Sequence, residues 1–239
     1  MNPAALQKLL ESVAHGRTPV DKAQEELVHL AVEDIQYAHI DHHRSLRKGF
    51  PEVIFGEGKT TRQIIGILEK LSSQEQVVLV TRVDAEKAQA ITHRFEHAVF
   101  DAEANMVICQ HAPLPKRGRG TIGILSAGTS DIPVAKEAYL TADAMGNTVQ
   151  TVFDVGVAGI HRLFAHREVL ENATVLIVVA GMEGALPSVV AGLVKCPVIA
   201  VPTRVGYGVS LGGLTALFGM LNGCSSNEAI NIGSGEKKQ

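Results

Sequence analysis

The stretch Thr121-Ile122-Gly123-Ile124-Leu125-Ser126-Ala127-Gly128-Thr129-Ser130-Asp131-Ile132-Pro133 decides the fold. Its first five residues form a nearly unbroken apolar, β-branched run, which predicts a strand buried on both faces. A loop of small and hydroxyl residues follows, and Pro133 stands where a helix would make its first turn. The same rhythm continues downstream. Apolar runs over 148–153, 175–179 and 197–201 predict further strands, and helical spacing over 132–145, 159–166, 186–193 and 211–221 separates them. Strands alternating with helices predict an α/β domain around a parallel, doubly wound, flavodoxin-like sheet. Ligands of such sheets bind beyond the carboxyl ends of the strands, so the loops there are where chemistry is expected.

Each of those loops carries candidates. Ser126, Gly128, Thr129, Ser130 and Asp131 form the first. Small residues admit a close backbone approach, hydroxyls donate, and a helix N-terminus favours phosphate. Ser130 or Asp131 acting only as a helix cap is the simpler alternative. After the second strand, Asp154 is followed by His161-Arg162, a pair suited to an anion. The third loop, Gly181-Met182-Glu183-Gly184, sets one carboxylate among small residues before a helix. In an apolar-walled cleft its ionised form would be disfavoured, which suits a general acid or base. A first-turn acid that merely complements the helix dipole is the other reading. Gly206-Tyr207-Gly208 suits a tight loop over a ligand. Cys224 follows Asn222-Gly223, a helix-ending pair, and is expected in a polar loop open to substrate.

Outward from this half, the first part predicts helices over 3–14 and 20–37, strands over 53–55, 77–80 and 106–109, and helices over 60–71 and 85–90, a smaller helical and α/β lobe. Residues 112–120 hold two prolines among glycines and basic residues, which is linker chemistry and divides the chain into 1–118 and 119–239. Charged side chains are nearly twice as numerous before Gly118 as after it, so the second part is expected to be the more buried. With 22 Lys+Arg against 25 Asp+Glu and a formal charge of -3, nothing resembles a nucleic-acid or membrane footprint, and a small-molecule partner is expected. No apolar run near Met1 reads as a signal or span, which predicts a cytoplasmic protein. The three cysteines are too scattered for a disulfide framework, and Cys109 and Cys196 read as small buried apolar residues.

Gly128-Thr129-Ser130-Asp131, Gly159-Ile160-His161-Arg162, Ala180 through Pro187 and Val201-Pro202-Thr203 together resemble the carboxyaminoimidazole ribonucleotide mutases of purine synthesis. Those mutases carry a histidine immediately before the Leu-Pro of the third loop, where this chain has Ala185. The whole chain more closely resembles the LarB family of pyridinium-3,5-biscarboxylic acid mononucleotide synthases, through Asp41 to Val53, Glu183 and Leu221-Asn222-Gly223-Cys224. That resemblance implies carboxylation of nicotinic acid adenine dinucleotide by carbon dioxide and release of AMP, the first step towards a nickel-pincer nucleotide. It also implies substrate contacts from Arg44 and Arg47 and, by analogy with the octameric mutases, a homo-oligomer. Phosphoanhydride cleavage gathers negative charge on oxygen, which a Mg²⁺ ion would stabilise, with Asp131 and Asp154 as candidate ligands.

The chemistry explains the thiol. An electron-poor pyridinium cannot attack carbon dioxide, but a thiolate adduct of it is a dihydropyridine with a nucleophilic enamine carbon. A base, assigned to Glu183, then removes the ring proton. Two departures stand out: Asn231-Ile232 is followed by Gly233-Ser234-Gly235 where the family continues Asp-Asn-Gly, and Arg204 replaces a small hydroxyl residue. A mutase acting on an imidazole ribonucleotide and a non-catalytic nucleotide-binding protein are the rival readings.

Overall fold

The computed structural model describes residues 3–28, 33–41, 50, 52–73, 76–112, 114–224 and 228–230. Arg44 and Arg47 lie outside them. The chain divides into two compact units, Met1–Pro113 and Leu114–Gln239. The division falls at the start of the basic linker because the linker's later residues already pack on the second unit. Arg117 N–H donates to the Gly146 carbonyl at 2.8 Å, and the Lys116 ammonium donates to the Asn147 carbonyl at 2.8 Å.

The first unit opens with helices α1 (Pro3–Ala14) and α2 (Val20–Val28). The helix expected over 20–37 stops at Val28. Strands β1 (Glu33–Asp34) and β2 (His39–Ile40) instead pair antiparallel, and Gln36 turns the chain at φ 73, a left-handed conformation that no helix can continue through. Beyond them lie β3 (Val53–Phe55), α3 (Thr61–Ser72), β4 (Val77–Thr81), α4 (Ala85–Arg94), β5 (Ala98–Asp101) and β6 (Met106–Gln110). The four strands form one mixed sheet in the order β3-β4-β6-β5. Strand β5 has no counterpart in the sequence-based expectations: its apolar run, Ala98-Val99-Phe100, is short and ends at Asp101, and the strand sits half-exposed at the sheet edge. Ile64, Leu68, Leu71, Val78, Val80, Ile91 and Val107 make the core. Thr60 and Gln63 close a reciprocal capping box at the start of α3, and Asp84 caps α4 by accepting from Lys87 N–H at 2.8 Å.

The second unit is the parallel α/β domain. Its strands are β7 (Thr121–Ser126), β8 (Thr148–Val152), β9 (Ala173–Ala180), β10 (Val198–Pro202) and β11 (Glu228–Ile230), all parallel, in the order β11-β10-β9-β7-β8. Taken within the domain this is the 2-1-3-4-5 order of flavodoxin-like sheets. Helices α5 (Ile132–Ala144), α6 (His161–Phe164), α7 (Arg167–Asn172), α8 (Ala185–Leu193) and α9 (Leu214–Leu221) connect them. Period-two alternation divides the strand residues between two cores. Leu125, Leu176, Val178, Val198 and Ala200 join one with Leu163, Leu186, Val190 and Met220, while Ile124, Val179 and Val201 join the other with Ala135.

Four expectations change in this domain. Strand β8 is at the sheet edge and mostly exposed rather than buried on both faces. The helix expected over 159–166 is a short 3₁₀ turn, then α6, with α7 beginning only at Arg167. The helix expected from residue 211 begins at Leu214, because Leu211, Gly212 and Gly213 all have positive φ. Strand β11, too short and polar at its start to announce itself, completes the sheet.

Candidate active site

Strand order reverses between β7 and β9, and their following loops diverge there to form a crevice. A cavity of about 350 Å³ opens at this point. Gly128, Thr129, Ser130 and Asp131 line it from the loop after β7, Asp154 and Arg162 from the segment after β8, Gly181, Met182 and Glu183 from the turn after β9, and Val205 from the loop after β10. Four sequence-distant loops therefore meet in one place. Contacts at van der Waals limits fix their separation. A Cβ on Gly156 would stand 2.7 Å from the Ala127 carbonyl oxygen, and one on Gly184, at φ 69, would stand 2.6 Å from that of Ala216. Helix α9 thus presses directly on the Glu183 turn.

Two strained residues stand at the wall. Asp154 and Met182 both line the cavity with left-handed backbones, at φ 59 and 52. Such a conformation costs a side-chain-bearing residue roughly 1–2 kcal/mol and persists only where the surroundings enforce it. At Met182 the enforcement is visible: its N–H donates to the Val205 carbonyl at 2.7 Å, and Gly184 N–H closes the turn onto the Gly181 carbonyl at 2.9 Å. At Asp154, the backbone N–H donates to Ser126 Oγ at 3.2 Å.

The candidate residues separate on this geometry. Ser126 is fully buried with its hydroxyl engaged by Asp154, so it supports the loop and does not face a ligand. His161 is exposed and lies off the cavity wall, because the α6 turn that directs Arg162 inward carries its neighbour outward. Arg162 reaches the wall with its guanidinium donating to Asp154 at 2.6 Å. Both partners are more than a third exposed, so the pair contributes little to stability and its effect is to aim the guanidinium. Tyr207, 82% exposed, lines a neighbouring space of about 210 Å³ with Val209, Ser210 and Thr215, and Met182 and Glu183 stand between that space and the main cavity. Gly206 is exposed and lines neither.

Glu183 is exposed rather than enclosed by apolar walls, which corrects the expectation drawn from its neighbours. Cys224 is exposed and lies outside the lining of both spaces, two residues beyond the Asn222 that caps α9. Cys109 and Cys196 differ from it: burial pushes both thiols up, which starves them of thiolate at neutral pH. Limited iodoacetamide at pH 7.5 is therefore expected to label Cys224 first, by at least about tenfold over the other two. Peptide mass mapping reads this directly, and comparable labelling of Cys109 would contradict the burial argument.

The two aspartates do not suit the magnesium ion expected for phosphoanhydride cleavage. Asp131 is buried, with one carboxylate oxygen accepting from the Thr203 hydroxyl at 2.6 Å and the other from Gly128 N–H at 3.0 Å. Asp154 faces a cation already. Among the described residues no group of three His, Cys, Asp or Glu side chains gathers to hold a metal. Sequence reasoning also passed over residues that matter here. Leu186 lines the cavity beside Ala185, and Thr203 lies buried between two loops; its only signal was a hydroxyl after a strand. No described helix is long and apolar enough to cross a membrane.

Residues 32–111 match the family described as LarB/PurE-like N-terminal domain, and residues 121–237 match that described as AIR carboxylase. The chain is 39% identical to an uncharacterized protein of Methanocaldococcus jannaschii over 239 residues, spanning 96% of this chain and 92% of that one. It is 29% identical over 106 residues to the N5-carboxyaminoimidazole ribonucleotide mutase of Thermotoga maritima, spanning 42% of this chain and 58% of the mutase.

Proposed function

The chain belongs to the family of its Methanocaldococcus relative, joining a LarB/PurE-like N-terminal domain to an AIR carboxylase domain, and on that premise we propose that it carboxylates the pyridinium ring of nicotinic acid adenine dinucleotide. These domains make it an enzyme of the carboxylase or mutase type acting on a nucleotide. The finer reading rests on one observation above all. Ala185, at the position where the purine mutases carry histidine, lines the cavity, and the carboxylate of the same turn, Glu183, lines it too. A site without that histidine needs a different route for its proton.

In the proposed route the Cys224 thiolate adds to the pyridinium ring and neutralises its charge. The enamine carbon of the resulting dihydropyridine attacks carbon dioxide, forming the new carbon–carbon bond. Glu183 removes the proton from that carbon, the ring regains aromaticity, and the carbon–sulfur bond breaks to return the thiolate. Water then cleaves the phosphoanhydride to give pyridinium-3,5-biscarboxylic acid mononucleotide and AMP, an intermediate suited to a nickel-pincer nucleotide. Arg162, aimed by Asp154, and the small-residue loop at Gly128 to Ser130 are suited to the phosphates. No step is assigned to magnesium, since Asp131 and Asp154 are engaged elsewhere. A homo-oligomer belongs to the same reading. Tyr207, Val209, Leu211, Leu214, Phe218 and Leu221 are all exposed, within a stretch from 205 to 227 that holds no charged residue.

The test is to incubate the protein with nicotinic acid adenine dinucleotide, bicarbonate and Mg²⁺ and follow products by mass spectrometry. Dicarboxylated mononucleotide and AMP are expected in equal amounts. Absence of both from folded protein overturns the reading. Conversion of N5-carboxyaminoimidazole ribonucleotide in their place would favour the mutase alternative, which the Thermotoga maritima similarity supports.

A further inference from the structure

Asp131 and Thr203 are two of the few buried polar side chains among the described residues, at 3% and 6% exposure, and they bond to each other across 72 residues of sequence. The Thr203 hydroxyl donates to Asp131 and accepts from Val205 N–H at 3.4 Å, so it joins the loop after β7 to the loop after β10. Thr203 N–H donates to the Ala180 carbonyl at 3.0 Å, and the Val205 carbonyl receives Met182 N–H at 2.7 Å. Residues 203–205 therefore hold the turn after β9 at two points, on either side of Gly181. No side chain fits beneath that clamp, because a Cβ on Gly181 would stand 2.7 Å from Thr203 Oγ1 and 2.8 Å from the Val205 Cβ.

We propose that Asp131 is a positioning residue which, through the Thr203 hydroxyl, fixes residues 203–205 against the strained turn Gly181–Gly184 and so holds Glu183 at the cavity. This gives Asp131 a role besides lining the cavity. Both of its carboxylate oxygens are engaged within the protein, one by Gly128 N–H and the other by the Thr203 hydroxyl. Met182 is where the clamp is needed. Turns whose first central residue is left-handed normally place glycine there, and this one places methionine. Removing the hydroxyl leaves the segment free to slide and the turn free to relax. The catalytic consequence rests on the function proposed above, whereas the clamp itself rests on geometry alone.

Thr203→Val keeps the side-chain volume and deletes the relay. Hydrogen exchange of the peptide spanning 181–185 is expected to accelerate at least about tenfold, the scale of one lost buried hydrogen bond. The kcat for dinucleotide carboxylation is expected to fall about tenfold with KM within about threefold, because a displaced Glu183 slows chemistry without removing a substrate contact. Thr203→Ser restores the hydroxyl and should return both to within about threefold of wild type. Asp131→Asn replaces one acceptor by a donor and should raise exchange in the same peptide. Exchange unchanged in both Thr203→Val and Asp131→Asn overturns the proposal, as does raised exchange with wild-type kcat or a large rise in KM alone. If the wild-type protein makes no carboxylated product, the functional reading fails, and the exchange comparison still decides the clamp.

Discussion

Replacing Cys224 with serine is expected to abolish carboxylation of nicotinic acid adenine dinucleotide, lowering kcat by at least about a thousandfold, with the melting temperature unchanged. The size follows from the chemistry. A serine hydroxyl is protonated at neutral pH and is a far poorer nucleophile than a thiolate, so the ring stays an electrophile and has no carbon able to attack carbon dioxide. Stability should hold because Cys224 is exposed. The position of the thiol sharpens the test. Helix α9, which ends two residues before the Asn222-Gly223 pair closes, touches the Glu183 turn through Ala216 and Gly219, yet Cys224 itself lines neither space. Covalent chemistry therefore requires the exposed thiol to meet the ring when the dinucleotide is bound. Intact-protein mass spectrometry of the wild type with dinucleotide and without bicarbonate should show an adduct on Cys224, and the serine variant should show none. Turnover by Cys224→Ser near the wild-type rate would sink the covalent route and favour mutase-type chemistry.

Much of the architecture was legible because buried parallel strands state themselves in sequence. The runs at 121–125, 175–179 and 197–201 are apolar on both faces because both faces meet a core, and the structure finds strands at each. What escaped were elements stabilised by pairing rather than by composition. Strands β5 and β11 and the hairpin of β1 and β2 are short edges whose residues are set by a neighbour's register, and no periodicity of two to four residues announces them. Strand β8 misled in the other direction: its β-branched residues suit an edge exposed to solvent as well as a buried centre. The site divides similarly. Loops could be located from strand ends, so Gly128 to Asp131, Arg162 and Glu183 were found. Side-chain direction could not, which is why Ser126 was read as facing the ligand, Asp131 as open to a metal, and His161 as sharing an anion with Arg162. Nor can a sequence show that Thr203 reaches Asp131, since the two meet only once the sheet is assembled.

Glu183→Gln carries the second large expectation: a fall of about a hundredfold to ten-thousandfold in kcat, the range associated with a positioned general base. Glutamine keeps the shape and hydrogen-bonding reach of glutamate and cannot accept the ring proton. Because Glu183 is exposed, the change should leave stability within about 0.5 kcal/mol. The proposed order of steps makes this variant differ in kind from Cys224→Ser. The thiolate is intact, so the dinucleotide adduct should still form on Cys224, and only its carboxylation product should fail to leave. An adduct that accumulates while AMP and mononucleotide release collapse is the expected signature, read by the same mass measurement. Glu183→Asp, one methylene shorter, should lie between the two. If Thr203 acts by holding Glu183 in place, adding Thr203→Val to Glu183→Gln should slow the enzyme little further, since the group being positioned has already lost its function. Full additivity would assign Thr203 a separate role, and a Glu183→Gln rate within about threefold of wild type would remove Glu183 from the mechanism altogether.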